Sequence, residues 1–399
     1  PWIRLAIALL LATIGGVGMW SVVVALPSVQ AEFGVARGAA SFPYTMTMIC
    51  FGIASIFMGR LADRIGIFVP LVIGAVLLCI GYISASHAAT IGQFTLLQGL
   101  LIGVGSSVTF APLLSDTSLW FTKNRGLAVG IIASGNYVAG TFWPPVLTHF
   151  IQTSGWRDTY WGVAWFCLLT MLPLALLLRR RAPTVVATAE TLKQEMTNHR
   201  PLGLKPNALQ VILIIAGLSC CVAMSMPQVH IIAYCGDLGF GPARGAQMLA
   251  LMLACGIVSR LSFGWISDHI GGLRTLLLGS SLQAFALLLF VPFDGLVSLY
   301  LLSALFGLFQ GGIVPSYAII VREFFPSKQA GTRISMVLTA TMFGMAFGGW
   351  MSGVIFDWFG SYRAAFINGV AWNLLNIAIA LWMIRRYRAT KLNLGNRAL

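Results

Sequence analysis

Apolar residues occupy this chain in long blocks, with polar residues gathered in the short gaps between them. The first six blocks lie near 4–27, 41–61, 69–86, 94–119, 126–151 and 158–178. A polar, charged stretch at 179–206 follows, and then six more blocks near 207–234, 244–266, 273–292, 297–323, 332–356 and 364–384. Each is long enough for a helix to cross a bilayer, which takes about 20 residues. Helices are the expected form, because a segment in lipid must satisfy its own backbone N–H and C=O groups. The pattern predicts an all-α membrane protein with twelve transmembrane helices. It divides into an N-terminal six-helix half (1–178), a linker (179–206) and a C-terminal six-helix half (207–399). A short surface helix is expected inside the linker, around 187–196.

The two halves repeat one another. Gly34, Gly59, Asp63, Gly66, Gly126 and Gly155 recur as Gly239, Gly264, Asp268, Gly271, Gly331 and Gly360, each 205 residues later. Ala36-Arg37-Gly38-Ala39 recurs as Ala243-Arg244-Gly245-Ala246, shifted by 207. Paired six-helix repeats are a sequence signature of transporters with a site between the halves.

Composition closes off other classes. The chain is 58% hydrophobic and 9% charged, which leaves too little polar material to cover a soluble protein of this size. A net charge of +14 would suit nucleic acid, but the charges sort by side. Twelve spans put both termini on one side. Of the 25 Lys and Arg, 20 fall on that side or in the linker, Arg37, Arg157, Arg244 and Arg363 fall opposite, and Arg260 lies within a span. The positive-inside rule makes the termini cytoplasmic. It also accounts for the basic excess, so no nucleic-acid partner is expected. The expected location is a plasma membrane, specifically a bacterial inner membrane, with no cleaved signal peptide. The 7 cysteines sit in or beside apolar runs without metal-type spacing, so no metal, cofactor or disulfide framework is expected. No nucleotide loop, His-rich cluster or Ser/His/Asp arrangement supports an enzyme, and the expected unit is a monomer.

One charge stands apart. In Ala243 to Gly271 an apolar run encloses Arg260, a cation that cannot shed its proton. Four residues back is Gly256 and seven back is Leu253, so no carboxylate meets it on its own face. Asp268 is eight residues on, about 12 Å along a helix. Arg260 is therefore a candidate for binding an anionic substrate, the alternatives being a partner on another helix or snorkelling.

The loops carry motifs. Gly59-Arg60-Leu61-Ala62-Asp63-Arg64-Ile65-Gly66 resembles the G-x-L-A-D-R-x-G-R-R loop of the major facilitator superfamily, with Ile67 and Phe68 in place of the usual basic pair. Gly264 to Gly271 is a weaker second copy. The resemblance implies that Asp63, Arg64 and Asp268 gate the cytoplasmic side; from the residues alone, Gly59 is expected to allow close helix approach and Asp116 is a candidate added partner for Arg60 or Arg64. Trp120-Phe121-Thr122-Lys123-Asn124-Arg125-Gly126-Leu127-Ala128, Trp143-Pro144-Pro145, Gly155-Trp156-Arg157 and Ala31 to Arg37 resemble the monocarboxylate-transporter and oxalate/formate-antiporter branch. In that branch the eighth-span arginine binds substrate carboxylate, a role that maps onto Arg260. This chain departs from the branch in carrying Gly256 where an aspartate is frequent, no charge across 5–27, and no lysine across 334–356.

Other polar residues near mid-membrane are candidates to line a cavity: His230 beside Pro227, Asn136 and Tyr137, Gln310 and Ser107, with Trp20 or Phe309 as an apolar wall. Small residues at Gly130, Ser134, Gly140, Gly344, Gly348 and Ser352 are expected to let helices pack closely. The expected function is secondary transport of lactate- or pyruvate-like monocarboxylates by alternating access, with His230 as a candidate for proton coupling. An organic-anion exchanger is the alternative, and a membrane receptor or enzyme the remote one.

Overall fold

The structure is a computed structural model that describes residues 2–121, 125–180, 202, 204–325 and 327–395. Among these residues all regular structure is helical. The membrane-length helices are α1 (Trp2–Phe33), α2 (Arg37–Ile65), α3 (Phe68–Ser86), α4 (Ile91–Thr117), α7 (Pro206–Asp237), α8 (Pro242–Ile270), α9 (Gly272–Leu289), α10 (Leu296–Phe324), α11 (Gly331–Phe359) and α12 (Arg363–Ala389). Between α4 and α7 the apolar stretch Gly130–Leu177 crosses twice, as α5 (130–154) and α6 (156–177). The break is at Gly155, whose φ of 83° a residue with a Cβ adopts only under strain. The expected twelve helices are therefore present among the described residues. The linker helix expected near 187–196, and Thr122, Lys123 and Asn124 of the Trp120 run, lie outside them.

The repeat is visible in the backbone. Three of the duplicated glycine pairs, Gly34 and Gly239, Gly66 and Gly271, and Gly155 and Gly360, share positive φ. These close the same three connections in each half.

Small residues set the helix spacing between the halves. A Cβ on Gly140 would strike Leu253 and Trp20, and one on Gly256 would strike the Tyr137 ring, so α5 and α8 run tightly together. Helices α2 and α11 touch at Gly38 against Val354 and at Gly349 against Tyr44. Gly344 and Gly348 pack on α7 as expected, whereas Gly59 and Gly130 face open space. Gly59 therefore allows no close approach here. Asp116 also departs from expectation: it pairs with Arg4 at 2.8 Å, and Arg4 donates on to the carbonyl of Leu178. The early charge of α1 thus ties the chain's beginning to α4 and α6, and Arg60 and Arg64 are not its partners.

Candidate functional site

A narrow cavity of about 50 Å³ lies between the halves. Arg260, Trp20, Asn136 and Tyr137 line it together, as do Gln228 and the apolar side chains Met19, Phe51, Phe110, Leu253 and Met342. Arg260 reaches across from α8 to α5. One terminal nitrogen donates to the carbonyl of Ala133, and the guanidinium lies 4.2 Å from the centre of the Tyr137 ring. Gly256 is what makes room for that ring. The position that carries aspartate in the resembling branch therefore serves here to seat an aromatic face, a cation–π partner with no net charge. Arg260 accordingly meets no carboxylate among the described residues. Among the described residues its buried Nε has no hydrogen-bond partner and Nη2 makes no hydrogen bond. These two nitrogens form the guanidinium edge that can hold both oxygens of one carboxylate.

Trp20 is buried, and its indole N–H donates to the carbonyl of Asn136 at 3.3 Å, which fixes the wall where α1 meets α5. Gln228 donates to Gln310 at 2.8 Å, so Gln310 stands one layer behind the lining. The Gln310 oxygen accepts that bond, and its buried amide nitrogen has no hydrogen-bond partner among the described residues. Ser107 is buried outside the lining and donates back to the carbonyl of Val104. It sits just before an interruption of α4, where Phe110 leaves helical geometry and turns into the cavity wall. Phe309 is not among the lining residues.

His230 lies elsewhere. Residues two apart on a helix point about 200° away from one another, so with Gln228 on the cavity, His230 faces the protein interior. Its Nε2 meets the carbonyl of Gly349 at 2.7 Å and its Nδ1 the hydroxyl of Tyr362 at 3.0 Å. A carbonyl only accepts, so Nε2 carries the hydrogen and Nδ1 is left to accept from Tyr362. The Tyr362 oxygen in turn accepts from Arg37 at 2.8 Å.

Arg37 is the centre of a cluster on the face opposite the chain ends. It forms a two-pronged pair with Asp237, both bonds 3.0 Å. Asp357 accepts from the backbone N–H groups of Arg37 and Gly38 at 2.8 and 2.7 Å, capping the start of α2. Arg37 belongs to the first half and all of these acceptors to the second. The face of the chain ends shows the reverse: Asp63, Arg64 and Asp268 are exposed and make no ion pair among the described residues. The halves are thus clasped on the face of Arg37, and no such pair links Asp63, Arg64 or Asp268 among the described residues on the other. The clasp was hidden from sequence reading. Its only signal was Arg37, one of four cations on the sparsely charged side.

A bundle of paired six-helix halves around a central cavity is a transporter architecture. The model of the Major Facilitator Superfamily matches residues 8–300 and 262–398, and the chain belongs to that family. It is 25% identical to monocarboxylate transporter 13 of Rattus norvegicus over 325 residues, 80% of this chain and 74% of that protein. It is 24% identical to the MFS-type transporter opdF of Penicillium oxalicum, over 72% of this chain and 66% of that one. Among solved structures, a bacterial homolog of the human lysosomal transporter Spinster, described as inward-facing and occupied, superposes with a TM-score of 0.74 at 14% identity, over 96% of each chain. The nucleoside transporter NupG superposes at 0.73 and 14%, over 96% of this chain and 99% of that one. The chain is a multi-pass membrane transporter.

Proposed function

We propose that this protein is a secondary transporter of organic monocarboxylates working by alternating access. The observation that carries this reading is the Arg260 guanidinium on the cavity between the halves, whose Nε–Nη2 edge meets no carboxylate among the described residues. A monocarboxylate satisfies that edge and leaves no charge over. A dicarboxylate would leave a second anionic group without a cation, at a cost of several kcal/mol. The kinship with a monocarboxylate transporter supports the same class. Arg260 is the carboxylate ligand, Tyr137 and Asn136 hold it in place, and Trp20 walls the site. Gln228, backed by Gln310, is the polar group of the opposite wall. His230 acts on the clasp through Tyr362, and Ser107 shapes the bend of α4.

Twenty of 25 basic residues on the side of the termini support a cytoplasmic placement of the chain ends, in a plasma membrane of bacterial inner-membrane type. The clasped state is then inward-facing. Asp63, Arg64 and Asp268 gate the cytoplasmic face in the alternate state and make no ion pair among the described residues in this one. A second reading, exchange of organic anions, is favoured by one observation: among the described residues the cavity lining holds no Asp, Glu or His.

Purified protein in proteoliposomes should take up a labelled monocarboxylate such as lactate faster than oxalate or malate. Arg260→Lys should weaken uptake, because an ammonium lacks the planar fork, and Arg260→Gln should nearly abolish it. Unchanged uptake by the Gln variant would sink this account. Acceleration by internal unlabelled anion, with no response to a pH gradient, would select exchange.

A further inference from the structure

Another cavity, of about 550 Å³, opens on the outer side of α5 and α6, away from Arg260. It is within the range of about 300–1,000 Å³ that ligand pockets occupy. Helix periodicity builds its walls. Phe142, Val146 and Phe150 are four apart along α5, and Asp158, Gly162 and Phe166 four apart along α6, so each set forms one stripe. The three phenylalanine rings are exposed. The stretch that carries them, Gly130–Leu177, is apolar enough to cross a membrane. The groove therefore faces the hydrocarbon of the bilayer. Gly162 keeps it open, since a Cβ built there meets nothing within 4 Å.

The two ends of the groove differ. Ser154 and Asp158 flank the Gly155 turn at the membrane edge of the clasped face, and both are exposed. From Asp158 to Phe166 the groove descends about 12 Å along the helix, against a hydrocarbon half-thickness of about 15 Å. That length suits one acyl chain in one leaflet. The mouth is acidic. Asp158 makes no ion pair among the described residues. Its neighbour Arg157 uses its donors elsewhere: Nε and Nη2 on Glu32, Nη1 on the carbonyl of Ser86, and Nη2 also on that of Ala88. The charge left free at headgroup level is the carboxylate of Asp158.

We propose that this groove holds a phospholipid with a primary-ammonium headgroup, a phosphatidylethanolamine. Its ammonium meets Asp158, and one acyl chain lies along Phe150, Val146 and Phe142. An ammonium brings three N–H donors, enough for the carboxylate and the Ser154 hydroxyl oxygen together. A choline headgroup carries the same charge with no N–H to give, and an anionic glycerol lipid meets Asp158 with like charge. The site is separate from the cavity between the halves and does not depend on what Arg260 binds. It bears on that cavity through α5, which also carries Tyr137 and Gly140. Trp143, in the groove wall, donates its indole N–H to the carbonyl of Thr13 at 2.7 Å, so a seated chain packs against the joint of α5 with α1.

The test uses the full chain purified in detergent and presented with ethanolamine, choline and glycerol phospholipids of identical acyl chains. Retained lipid is counted by native mass spectrometry. The ethanolamine lipid should be held about threefold to tenfold more tightly than the glycerol lipid, as one charge-assisted contact at a wet mouth allows. Asp158→Asn should erase that order and leave the three lipids alike. Gly162→Phe puts a ring into the open groove and should lower retention of all three, while the melting temperature of the lipid-free protein holds. Equal retention of the three by wild type, or an ethanolamine preference that survives Asp158→Asn, would overturn the headgroup assignment and the proposal with it. Undiminished retention in folded Gly162→Phe would place the lipid elsewhere and overturn it as well. A wild-type dimer that Gly162→Phe turns into a monomer would give the groove to a second copy of the chain instead.

Discussion

Glu32 and Asp237 are the same position in the two halves, 205 residues apart, yet they do opposite jobs. Glu32, at the end of α1, is satisfied inside its own half. Arg157 donates to it at 2.6 Å, the indole of Trp156 donates as well, and Arg157 also donates to the carbonyls of Ser86, the last residue of α3, and Ala88 just past it. In the second half the position matching Arg157 is Tyr362, which supplies no cation. Asp237 takes its charge from Arg37 of the other half instead. The repeat of Arg37, Arg244, is exposed and makes no ion pair among the described residues. One exchange, arginine for tyrosine, turns an internal brace into a bond between halves. A brace holds in every state of the transport cycle, whereas a bond between halves exists only while that face is closed. Such a bond biases the equilibrium by its own free energy and no more.

Breaking the clasp should give the largest effect. Arg37→Gln leaves Asp237 without its cation and strips Tyr362 of its donor. Loss of one partner of a buried pair costs about 3–5 kcal/mol, and less here because the Asp237 side chain is 35% exposed. Since about 1.4 kcal/mol is tenfold, uptake should fall about tenfold. A cysteine placed near Gly34 on the clasped face should become more reactive to an impermeant reagent. Unchanged reactivity would show that Arg37 does not hold this face closed.

Converting the second half to the pattern of the first is the next test. Tyr362→Arg offers Asp237 a cation from its own half and should release Arg37. Uptake should drop several-fold. Arg37→Gln added to this variant should then cost little further, because the bond it removes is already gone. Additive losses would mean that the two residues do not share Asp237.

The opposite face gives a smaller effect. Asp63 is exposed and makes no ion pair among the described residues, so Asp63→Asn should leave the stability of the clasped state unchanged. It should weaken only the state in which the gate motif engages, shifting the population toward the clasped one. Substrate affinity should hold while turnover falls about threefold, consistent with a coupling of about 0.6 kcal/mol. A lowered affinity with normal turnover would move Asp63 from gate to site.

Much of this was legible in the chain. Block lengths and the 205-residue repeat fix twelve helices in two halves, because hydrocarbon thickness and backbone satisfaction admit few alternatives. Arg260 was legible as well, since a fixed charge in an apolar run demands a partner. What was not legible depends on pairing between helices far apart in sequence. His230 looked like a cavity residue because its composition-based neighbourhood was apolar; only the facing of α7 shows that Gln228 takes that place. The methionines of the wall gave no signal, since Met19 or Met345 fits any membrane helix equally well. Asp237 and Asp357 carry no motif in the sequence, and only the fold sets Arg37 between them.

Glu32→Gln should have the smallest effect, and its smallness is what separates brace from clasp. The Arg157 and Glu32 side chains are 34% and 41% exposed, so their pair is screened by water. Pairs this exposed contribute about 0.2–1 kcal/mol. The substitution keeps the size of the side chain and an oxygen that can still accept from Trp156 and Arg157, so part of the contact survives. Arg157 also keeps its bonds to Ser86 and Ala88, which do not depend on Glu32. The melting temperature of the purified protein should therefore fall by only about one to three degrees. Uptake should stay within about twofold of wild type, and accessibility at Gly34 should not change, because nothing in this pair crosses between the halves. A loss of uptake as large as that of Arg37→Gln, with increased accessibility on the same face, would show that Glu32 belongs to the clasp after all.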